Sequence, residues 1–411
     1  MSAENKESVD DAPEPAIESD VARPDGEPED FLVGAESDMD PTLSVVLPTL
    51  NEEKGIKECI GQIKQAVNEL EVTTEIIVSD SSTDRTPEIA RERGAIVVEP
   101  DKPGYGYAYR YAFERARGEY IGMGDADTTY DFTELPKLYQ LVAGDEADIA
   151  MGSRLEGEIK SGAMPALHQY VGNPFLTRFL NVFYDADVSD AHSGLRVFDA
   201  EAFSMLDLQS DGMEFASEMI MEAAENELTI KEIPITYHQR RGEATLESFS
   251  DGWRHTKFML INAPTYLFTA PALAFTGIGL AIVLLSALRS SFGGITFQVQ
   301  TMFVGSLLTI VGFQVGSLSV FSMFAANPIK KPSDPVITWI MESFRLEHGI
   351  LLGAGFVAFG GGYVVFMVWR WVTSGFTKIP IIEWNIVAFT AIVIGVQLLF
   401  QSFFLSLISD K

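Results

Sequence analysis

The chain has 411 residues, of which 58 are acidic and 29 are basic, so its net charge is −29. This excess of acid excludes a general nucleic-acid-binding protein, because such proteins gain most of their affinity from basic side chains on phosphates. The charge is unevenly distributed, because residues 264–411 carry only 5 acidic and 7 basic residues. Over the whole chain, 47% of the residues are hydrophobic.

Residues 1–40 are rich in Asp, Glu, Pro, Ser and Ala, with 14 acidic and 2 basic residues. A segment with so few large apolar side chains cannot bury enough surface to offset the entropy that is lost on ordering. We therefore predict a disordered acidic tail at the start of the chain.

Short apolar runs alternate with helical stretches between residues 41 and 245. The predicted strands are Leu43–Leu47, Glu75–Ser79, Ala95–Glu99, Glu119–Met123 and Asp148–Met151. The predicted helices lie near residues 52–70, 85–93, 105–117 and 133–143. This alternation is typical of an α/β domain with a Rossmann-like, mostly parallel sheet. Ligands of such sheets bind beyond the carboxyl ends of the strands, so the polar motifs found there form the candidate site.

Four polar motifs follow the predicted strands in order. They are Leu47–Glu53 (LPTLNEE), Ser79–Thr86 (SDSSTDRT), Gly104–Gly106 (GYG) and Gly124–Asp131 (GDADTTYD). In the last of them, Asp125 and Asp127 place two carboxylates at the end of a buried strand, where they repel each other unless a cation is present. Mg²⁺ or Mn²⁺ suits such oxygen ligands and commonly joins carboxylates to a diphosphate. The motifs therefore predict a metal-assisted nucleotide site.

Taken together, the motifs resemble those of the family 2 glycosyltransferases, which have the GT-A fold, over residues 41–245. Within that family the chain looks most similar to the dolichyl- or polyprenyl-phosphate hexosyltransferases. The narrower resemblance rests on Met151–Arg154 (MGSR), Asp190–Arg196 (DAHSGLR), Gly212–Phe215 (GMEF) and Arg240–Glu243 (RRGE). It implies inverting transfer of a hexose from a nucleotide-sugar to a polyprenyl phosphate for glycosylation, with Mg²⁺ or Mn²⁺ as cofactor.

The resemblance also implies roles for individual residues. Those that would bind the nucleotide-sugar are Pro48, Thr49, Asn51, Glu52, Asp80, Ser82, Asp84, Gly104, Tyr105, Asp125, Ala126, Asp127 and Arg154. Those that would bind the acceptor phosphate are Arg154, His192, Ser193, Arg196, Arg240 and Arg241. The catalytic set would be Asp125, Asp127, Asp190 and Arg196, with Asp125 and Asp127 holding the metal. Asp190 would orient the acceptor or an arginine rather than remove a proton.

Two departures from the family pattern bear on the donor. Ser79 and Arg85 replace an Asp and a Gly of the family's Val-Asp-Asp-Gly-Ser-x-Asp-Gly-Thr segment, which leaves the nucleotide open. The Gly124–Asp131 string differs from the pattern associated with mannosyl transfer, so we favour UDP-glucose, with GDP-mannose as the alternative. The acceptor is a phosphate monoester whose second pKa is about 6, so it is already an anionic nucleophile and needs cationic positioning more than a general base.

The last part of the chain predicts a membrane domain. Residues 246–263 suggest an interfacial amphipathic helix with Trp253 and Phe258 at the headgroup level. A spanning helix needs about 20 mostly apolar residues. The charge-free runs of residues 264–411 predict four spans, near 264–287, 301–325, 348–369 and 385–408. We therefore expect a multi-pass protein of the cell membrane.

Basic residues in the loops between spans indicate the orientation. Lys330, Lys331 and Arg345 lie between spans two and three, on the same side as Arg254 and Lys257. The first residues show no apolar segment of a signal peptide. We expect both termini and the catalytic domain in the cytoplasm, with spans that anchor the site at the bilayer and equally allow a homo-oligomer.

Two other functions remain open at this point. A processive polysaccharide synthase has a related fold but carries a Gln-x-x-Arg-Trp motif, to which Gln239–Gly242 (QRRG) is the nearest approach. A transport or scaffold module with an inactive soluble domain is disfavoured by the Asp125/Asp127 pair and by spans without charged residues in their centres.

The acidity of the chain indicates a haloarchaeal source. At 1 M salt the Debye length is about 3 Å, so the field of the many acidic residues is screened.

Overall fold

The computed structural model describes residues 31–241, 248–288, 291–292, 295–326, 329, 346–377 and 382–409. Its main sheet has seven strands in the order β3-β2-β1-β4-β6-β5-β7. They are β1 Leu43–Thr49, β2 Thr74–Asp80, β3 Ile96–Val98, β4 Tyr120–Met123, β5 Ile149–Ile159, β6 Arg196–Asp199 and β7 Ile230–Tyr237. The first four strands are parallel, β6 runs antiparallel to both of its neighbours, and β5 pairs with β7 in parallel.

Helices cover both faces of this sheet. They are α1 Ile56–Leu70, α2 Thr86–Glu92, α3 Tyr105–Phe113, α4 Leu135–Ala143, α5 Asn173–Tyr184, α6 Ala200–Ser204, α7 Phe215–Glu225 and α8 Ser248–Ile261. Buried side chains of α1, α2 and α4 form the core on one face, and those of α3, α5, α7 and α8 form the core on the other. In α1 the buried residues Ile56, Ile60 and Ile63 recur at helical spacing, as expected for a helix with one apolar stripe.

The sheet reverses its order at β1. This strand lies between β2 and β4, and all of its residues except Pro48 are buried, as expected for a central strand covered on both faces. A crevice forms at such a reversal, and α/β proteins bind their ligands there. The motifs Leu47–Glu53, Ser79–Thr86 and Gly124–Asp131 all end up at this edge of the sheet.

The predicted fold class, an α/β domain with a mostly parallel sheet followed by membrane helices, is confirmed. The first four strands agree with the prediction to within two residues at each end. β5 extends to Ile159 because its second half pairs with β7, with an irregularity between Ser153 and Glu158. β6 and β7 were not predicted.

Ordered structure begins inside the segment for which we predict disorder. The N–H of Val33 donates to the carbonyl of Thr74 at 2.8 Å, and the N–H of Thr74 donates to the carbonyl of Phe31 at 2.8 Å. Val33 is buried, because the short apolar run at the end of the tail packs beside β2. Residues 1–30 lie outside the described residues, and their disorder stays a prediction.

The helix α8 lies between the α/β domain and the membrane part. Trp253 is 63% exposed, in keeping with a place at the headgroup level. Phe258 instead packs against the core of the α/β domain, and Met259 beside it is fully buried. The helix is therefore attached to the α/β domain along one face.

Four helices of the described chain are long and apolar enough to cross a membrane. Their candidate spans are Thr265–Ala287, Val299–Ser322, Glu347–Thr373 and Glu383–Leu407. They lie in α9 Ala270–Ala287 with the turn before it, α10 Val299–Ala326, α11 Leu346–Thr373 and α12 Ile382–Ser409. Glycines allow close pairing: a Cβ on Gly279 would lie 2.7 Å from the carbonyl oxygen of Gly305. The loops that carry Arg289, Lys330, Lys331 and Arg345 lie outside the described residues.

Candidate active site

The first two motifs are tied to each other at the ends of β1 and β2. Thr49 Oγ1 and Ser82 Oγ both donate to Asp80 Oδ1, each at 2.6 Å. Asn51 has a φ of 60°, and its side-chain oxygen accepts from the N–H of Thr83 at 2.9 Å. The two loops therefore form one connected rim, and Pro48 is half-buried in the strand directly before it.

A cleft of about 460 Å³ opens beside this rim. It is lined by the loops after β2 and β3, with Asp80 and Ser82 on one side and Arg91 and Lys102 as basic residues. Its volume is in the range of small-molecule sites, about 300–1,000 Å³. Ser79, which departs from the family pattern, is fully buried within β2 and does not line this cleft.

Asp84 and Glu52 join the loop after β1 to the start of α2. Asp84 Oδ1 accepts from the N–H of Thr86 at 2.9 Å, and the N–H of Glu52 donates to Thr86 Oγ1 at 2.9 Å. Burial opposes ionisation of Asp84, but the hydrogen bonds from Thr86 and Glu53 outweigh it and lower the pKa of this carboxyl. Asp84 therefore remains an anion that fixes the loop.

Asp125 and Asp127 lie at the end of β4, each with one oxygen held by a neutral donor. Tyr105 Oη donates to Asp125 Oδ1 at 2.8 Å, and the N–H of Thr129 donates to Asp127 Oδ1 at 3.0 Å. Ala126 between them is buried. Burial and the neighbouring carboxylate raise the pKa of Asp125. Within the described chain, the Oδ2 atoms of both residues accept no hydrogen bond.

Gly104 allows Tyr105 to reach this pair. Its φ is 145°, and a Cβ at this position would lie 2.4 Å from the carbonyl oxygen of Asp211. Only glycine fits so close an approach, and α3 begins directly after it. Gly104 therefore allows the close backbone approach to Asp211, and Tyr105 makes the hydrogen bond to Asp125.

The two carboxylates fit a hard divalent cation that is shared with a diphosphate. Mg²⁺ is usually held by one or two carboxylates together with substrate phosphates. In the ranges that the structure describes, no group of three or more His, Cys, Asp or Glu could hold a metal by itself. Asp125 and Asp127 would therefore hold the cation jointly with the nucleotide.

Arg240 faces this carboxylate pair, whereas Arg241 does not. The guanidinium of Arg240 pairs with Glu52 and lies 3.5 Å from Asp127 Oδ2. Burial raises the pKa of Glu52 to about 7, against the lowering effect of Arg240. Arg241 pairs with Glu58, and its side chain is 59% exposed. The position of Arg241 gives no support to its predicted acceptor-phosphate role, because its guanidinium is engaged at the surface by Glu58.

Arg154 and Asp190 form a buried ion pair. Arg154 Nε and Nη2 donate to the two carboxylate oxygens of Asp190 at 2.7 and 2.8 Å. The side chains are 8% and 0% exposed. Burial disfavours the anion, but the contacts with Arg154 prevail and lower the pKa of Asp190. Both oxygens of Asp190 are engaged, so it is placed to orient Arg154 rather than to act on the substrate as a member of the predicted catalytic set.

Arg196 holds the loop of residues 190–194 from beneath. Its Nε donates to the carbonyl of Ser193 at 2.9 Å, and its Nη2 donates to the carbonyls of Ala191 at 3.0 Å and Ala216 at 3.2 Å. The side chain is fully buried. Nε and Nη2 thereby position this loop, whereas the buried Nη1 has no hydrogen-bond partner among the described residues. The role of Arg196 as a catalytic phosphate ligand stays a prediction.

The same loop borders the Asp125/Asp127 pair. A Cβ on Gly194 would lie 3.0 Å from Asp125 Oδ2, and the N–H of Gly194 donates to Tyr130 Oη at 2.7 Å. Ser193 Oγ is buried and has no hydrogen-bond partner among the described residues. His192 Nε2 lies 3.0 Å from Ser217 Oγ. The loop therefore places Gly194 against Asp125, and the preceding residue carries an unpaired buried hydroxyl.

An exposed apolar face lies on α5 and the turn before it. Its exposed large side chains are Leu167, Tyr170, Val171, Phe175 and Val182. The ring of Phe183 lies 4.2 Å from that of Tyr266, at the start of the first candidate span. A second cleft, of about 490 Å³, lies between α5 and residues 188–189 and includes Leu155 and Arg178.

Several residues at the site were outside the sequence prediction. Glu232 accepts from the N–H of Asp190 at 2.9 Å, and Tyr130 contacts Gly194. Tyr130 could have been found, since it belongs to the Gly124–Asp131 motif. Glu232 lies on β7, whose pairing with β5 brings it to the site and leaves no motif in the sequence.

Two protein families match separate parts of the chain. Residues 44–206 match the family described as glycosyl transferase family 2. Residues 320–409 match the family described as the glycosyltransferase family 2 C-terminal transmembrane region. The first match covers β1 to β6, and the second covers the third and fourth candidate spans.

Curated relatives agree with these matches. The chain is 55% identical to the low-salt glycan biosynthesis hexosyltransferase Agl6 of Haloferax volcanii over 382 residues, which are 93% of this chain and 92% of the relative. It is 31% identical to the dolichyl-phosphate hexose transferase of the same organism, over 51% of this chain and 89% of the relative. The expected haloarchaeal source fits these relatives.

Among solved structures, the chain is similar to glucosyl-3-phosphoglycerate synthase from Mycobacterium tuberculosis in complex with Mn²⁺, UDP and glucosyl-3-phosphoglycerate. The identity is 24% and the TM-score is 0.44, over 54% of this chain and 80% of the other.

Proposed function

Because this chain belongs to glycosyltransferase family 2, we propose that it transfers a hexose from a nucleotide-sugar to dolichyl or polyprenyl phosphate at the cytoplasmic face of the cell membrane. One observation carries the proposal: the loop of residues 190–194 lies against Asp125 on one side and against α5 on the other, where the N–H of Ala191 donates to Thr177 Oγ1 at 3.3 Å. The carboxylate pair, the buried Arg154 and the apolar face of α5 are thereby joined through one loop.

The donor would bind at the rim formed by β1 and β2. The cleft beside Asp80 would take the nucleoside, with Arg91 and Lys102 as cations near it. Asp125 and Asp127 would hold Mg²⁺ or Mn²⁺, which when bound neutralises the charge that develops on the departing nucleoside diphosphate. We favour UDP-glucose over GDP-mannose on the sequence of the Gly124–Asp131 motif.

The acceptor would approach along the apolar face of α5. Its phosphate is anionic at neutral pH, so the protein has to place it rather than deprotonate it. Arg154, aligned by Asp190, offers the cation for this, and the unpaired Ser193 Oγ offers a hydrogen bond. Attack from the loop side on the anomeric carbon would invert its configuration.

Two structural features support membrane attachment at this site. Tyr266 Oη donates to the carbonyl of Val182 at 3.3 Å, which ties α5 to the start of the first candidate span. The exposed ring of Trp253 on α8 suits the interface between lipid and water. We propose that residues 41–245 form the catalytic domain, that 246–263 lie at the membrane surface and that 264–411 anchor the chain.

Membranes that contain the full-length protein are expected to form a labelled lipid from UDP-glucose carrying a labelled glucose, with dolichyl phosphate and Mn²⁺ present. The same assay with labelled GDP-mannose, and competition by unlabelled UDP and GDP, identifies the donor. Absence of label from the lipid extract with both donors would refute the proposed function. A water-soluble labelled polymer in place of the lipid would instead favour a polysaccharide synthase.

Arg240→Gln is expected to lower kcat/KM about tenfold or more, because a charge-assisted hydrogen bond to a phosphate is worth about 1.5–3 kcal/mol. Arg241→Gln is the matched control, since its guanidinium lies in an exposed ion pair with Glu58. It should remain within twofold of the unchanged protein. Equal losses in the two variants would contradict the distinction that the structure makes between these arginines.

A further inference from the structure

A hydrogen-bonded network links α8 to the loop of residues 190–194. Ser217 on α7 is fully buried, and its Oγ lies 3.0 Å from His192 Nε2 and 3.3 Å from His255 Nδ1. The two imidazole rings are 5.1 Å apart and nearly perpendicular. His255 belongs to α8 and is 8% exposed. Three separate segments of the chain therefore meet at one hydroxyl.

The Ser217 hydroxyl has a different hydrogen-bonding role toward each histidine. It has a single hydrogen, so it donates to one imidazole and accepts from the other. Burial and the nearby His255 lower the pKa of His192 to about 3, so the His192 ring takes part in the network as a neutral imidazole. The network is therefore directional, and removing the hydroxyl leaves His192 Nε2 without this partner.

One end of the network lies beside the first candidate span, and the other lies beside the carboxylate pair. At one end, α8 carries the exposed Trp253 and leads into the first candidate span. At the other end, His192 lies two residues before Gly194, which borders Asp125. Near the C-terminus of α8, Tyr184 Oη donates to the carbonyl of Met259 at 3.0 Å, and this contact reaches α5 but not the loop.

We propose that Ser217 and His255 are positioning residues that fix the loop of residues 190–194 to α8 and so align the acceptor phosphate with the membrane surface. The inference rests on the proposed transfer to polyprenyl phosphate. It assigns these two residues to the acceptor half of the site, with no part in donor binding.

Steady-state kinetics of the full-length protein in lipid nanodiscs test this assignment. His255→Phe, which removes one hydrogen bond of the buried network, is expected to raise the KM for polyprenyl phosphate about tenfold. Ser217→Ala, which removes both hydrogen bonds of the hydroxyl, is expected to raise it by about tenfold or more. The KM for the nucleotide-sugar should stay within twofold, and Ser217→Thr, which keeps the hydroxyl, should recover most of the loss. The double variant should be no worse than the more impaired single variant, since both changes break one chain of contacts.

Thr256→Ala is the matched control on α8, because its hydroxyl donates to the carbonyl of Gly252 at 2.9 Å within the same helix. It should leave both KM values unchanged. Labelled lipid formed with an unchanged acceptor KM in both variants, or a parallel rise in the two KM values, would overturn the inference alone. If the unchanged protein forms no labelled lipid, the proposed function fails, and the inference fails with it.

Discussion

Replacing Asp127 with Asn is expected to lower kcat by about a thousandfold, since a metal site contributes several kcal/mol of charge stabilisation and each 1.4 kcal/mol is tenfold in rate. The amide keeps an oxygen that can accept from the N–H of Thr129, as Asp127 Oδ1 does at 3.0 Å, so the turn after β4 should persist. What is lost is the anionic Oδ2, which faces Arg240 at 3.5 Å. The measurement is transfer of labelled hexose to lipid, together with Mn²⁺ binding by electron paramagnetic resonance in the presence of UDP.

Asp145→Asn supplies the matched control for this change. Asp145 is exposed and lies between α4 and β5, at the edge of the sheet opposite to the site. Its φ of 55° is a conformation that Asn adopts readily. The control should retain full activity and Mn²⁺ binding. Asp127→Asn with more than a tenth of the original kcat, or with unchanged Mn²⁺ binding, would refute the assignment of the metal site.

The position of the proposed donor half of the site could be predicted from the sequence because it depends on parallel strands. The ends of β1, β2 and β4 share one edge, so motifs that follow these strands must meet there, whatever the details of the loops. Thr49, Ser82 and Asp80 do meet, through hydrogen bonds of 2.6 Å. The hydrophobic pattern and the order of the strands along the chain were sufficient to predict where these motifs meet.

The acceptor half depends on strands that leave little trace in the sequence. β6 has four residues, Arg196–Asp199, and it inserts between β4 and β5 in the antiparallel sense. A run this short carries no reliable period, and its pairing is set by contacts distant in sequence. Glu232 on β7, Ser217 on α7 and His255 on α8 likewise reach the loop of residues 190–194 through contacts distant in sequence, and no sequence motif marks them.

Burial is a second property that composition cannot supply. Arg196 and Arg241 both occur in motifs associated with phosphate, but one is fully buried against carbonyls and the other is exposed beside Glu58. The same limit applies to residues 31–33, where three apolar residues pack beside β2 at the end of an otherwise acidic tail. In each case, whether the side chain is buried depends on residues that are distant in sequence.

Asp190→Leu is expected to lower the midpoint of thermal unfolding of the catalytic domain by about 10 °C, because breaking a buried ion pair costs about 3–5 kcal/mol. The change leaves Arg154, whose side chain is 8% exposed, without its counter-charge. Transfer activity should fall with it, since Arg154 loses the two contacts that align its guanidinium. Circular dichroism and the labelled-lipid assay measure the two effects on the same preparation.

The double variant Arg154→Met/Asp190→Leu separates stability from function. Apolar residues of similar volume often replace a buried ion pair at little cost in stability, so most of the lost melting temperature should return. Activity should not return, because the cation that we propose places the acceptor phosphate has been removed. If the double variant transfers hexose at a rate near that of the unchanged protein, the pair is a structural device, and the phosphate must be held by another cation of the site, with Arg240 the next to test.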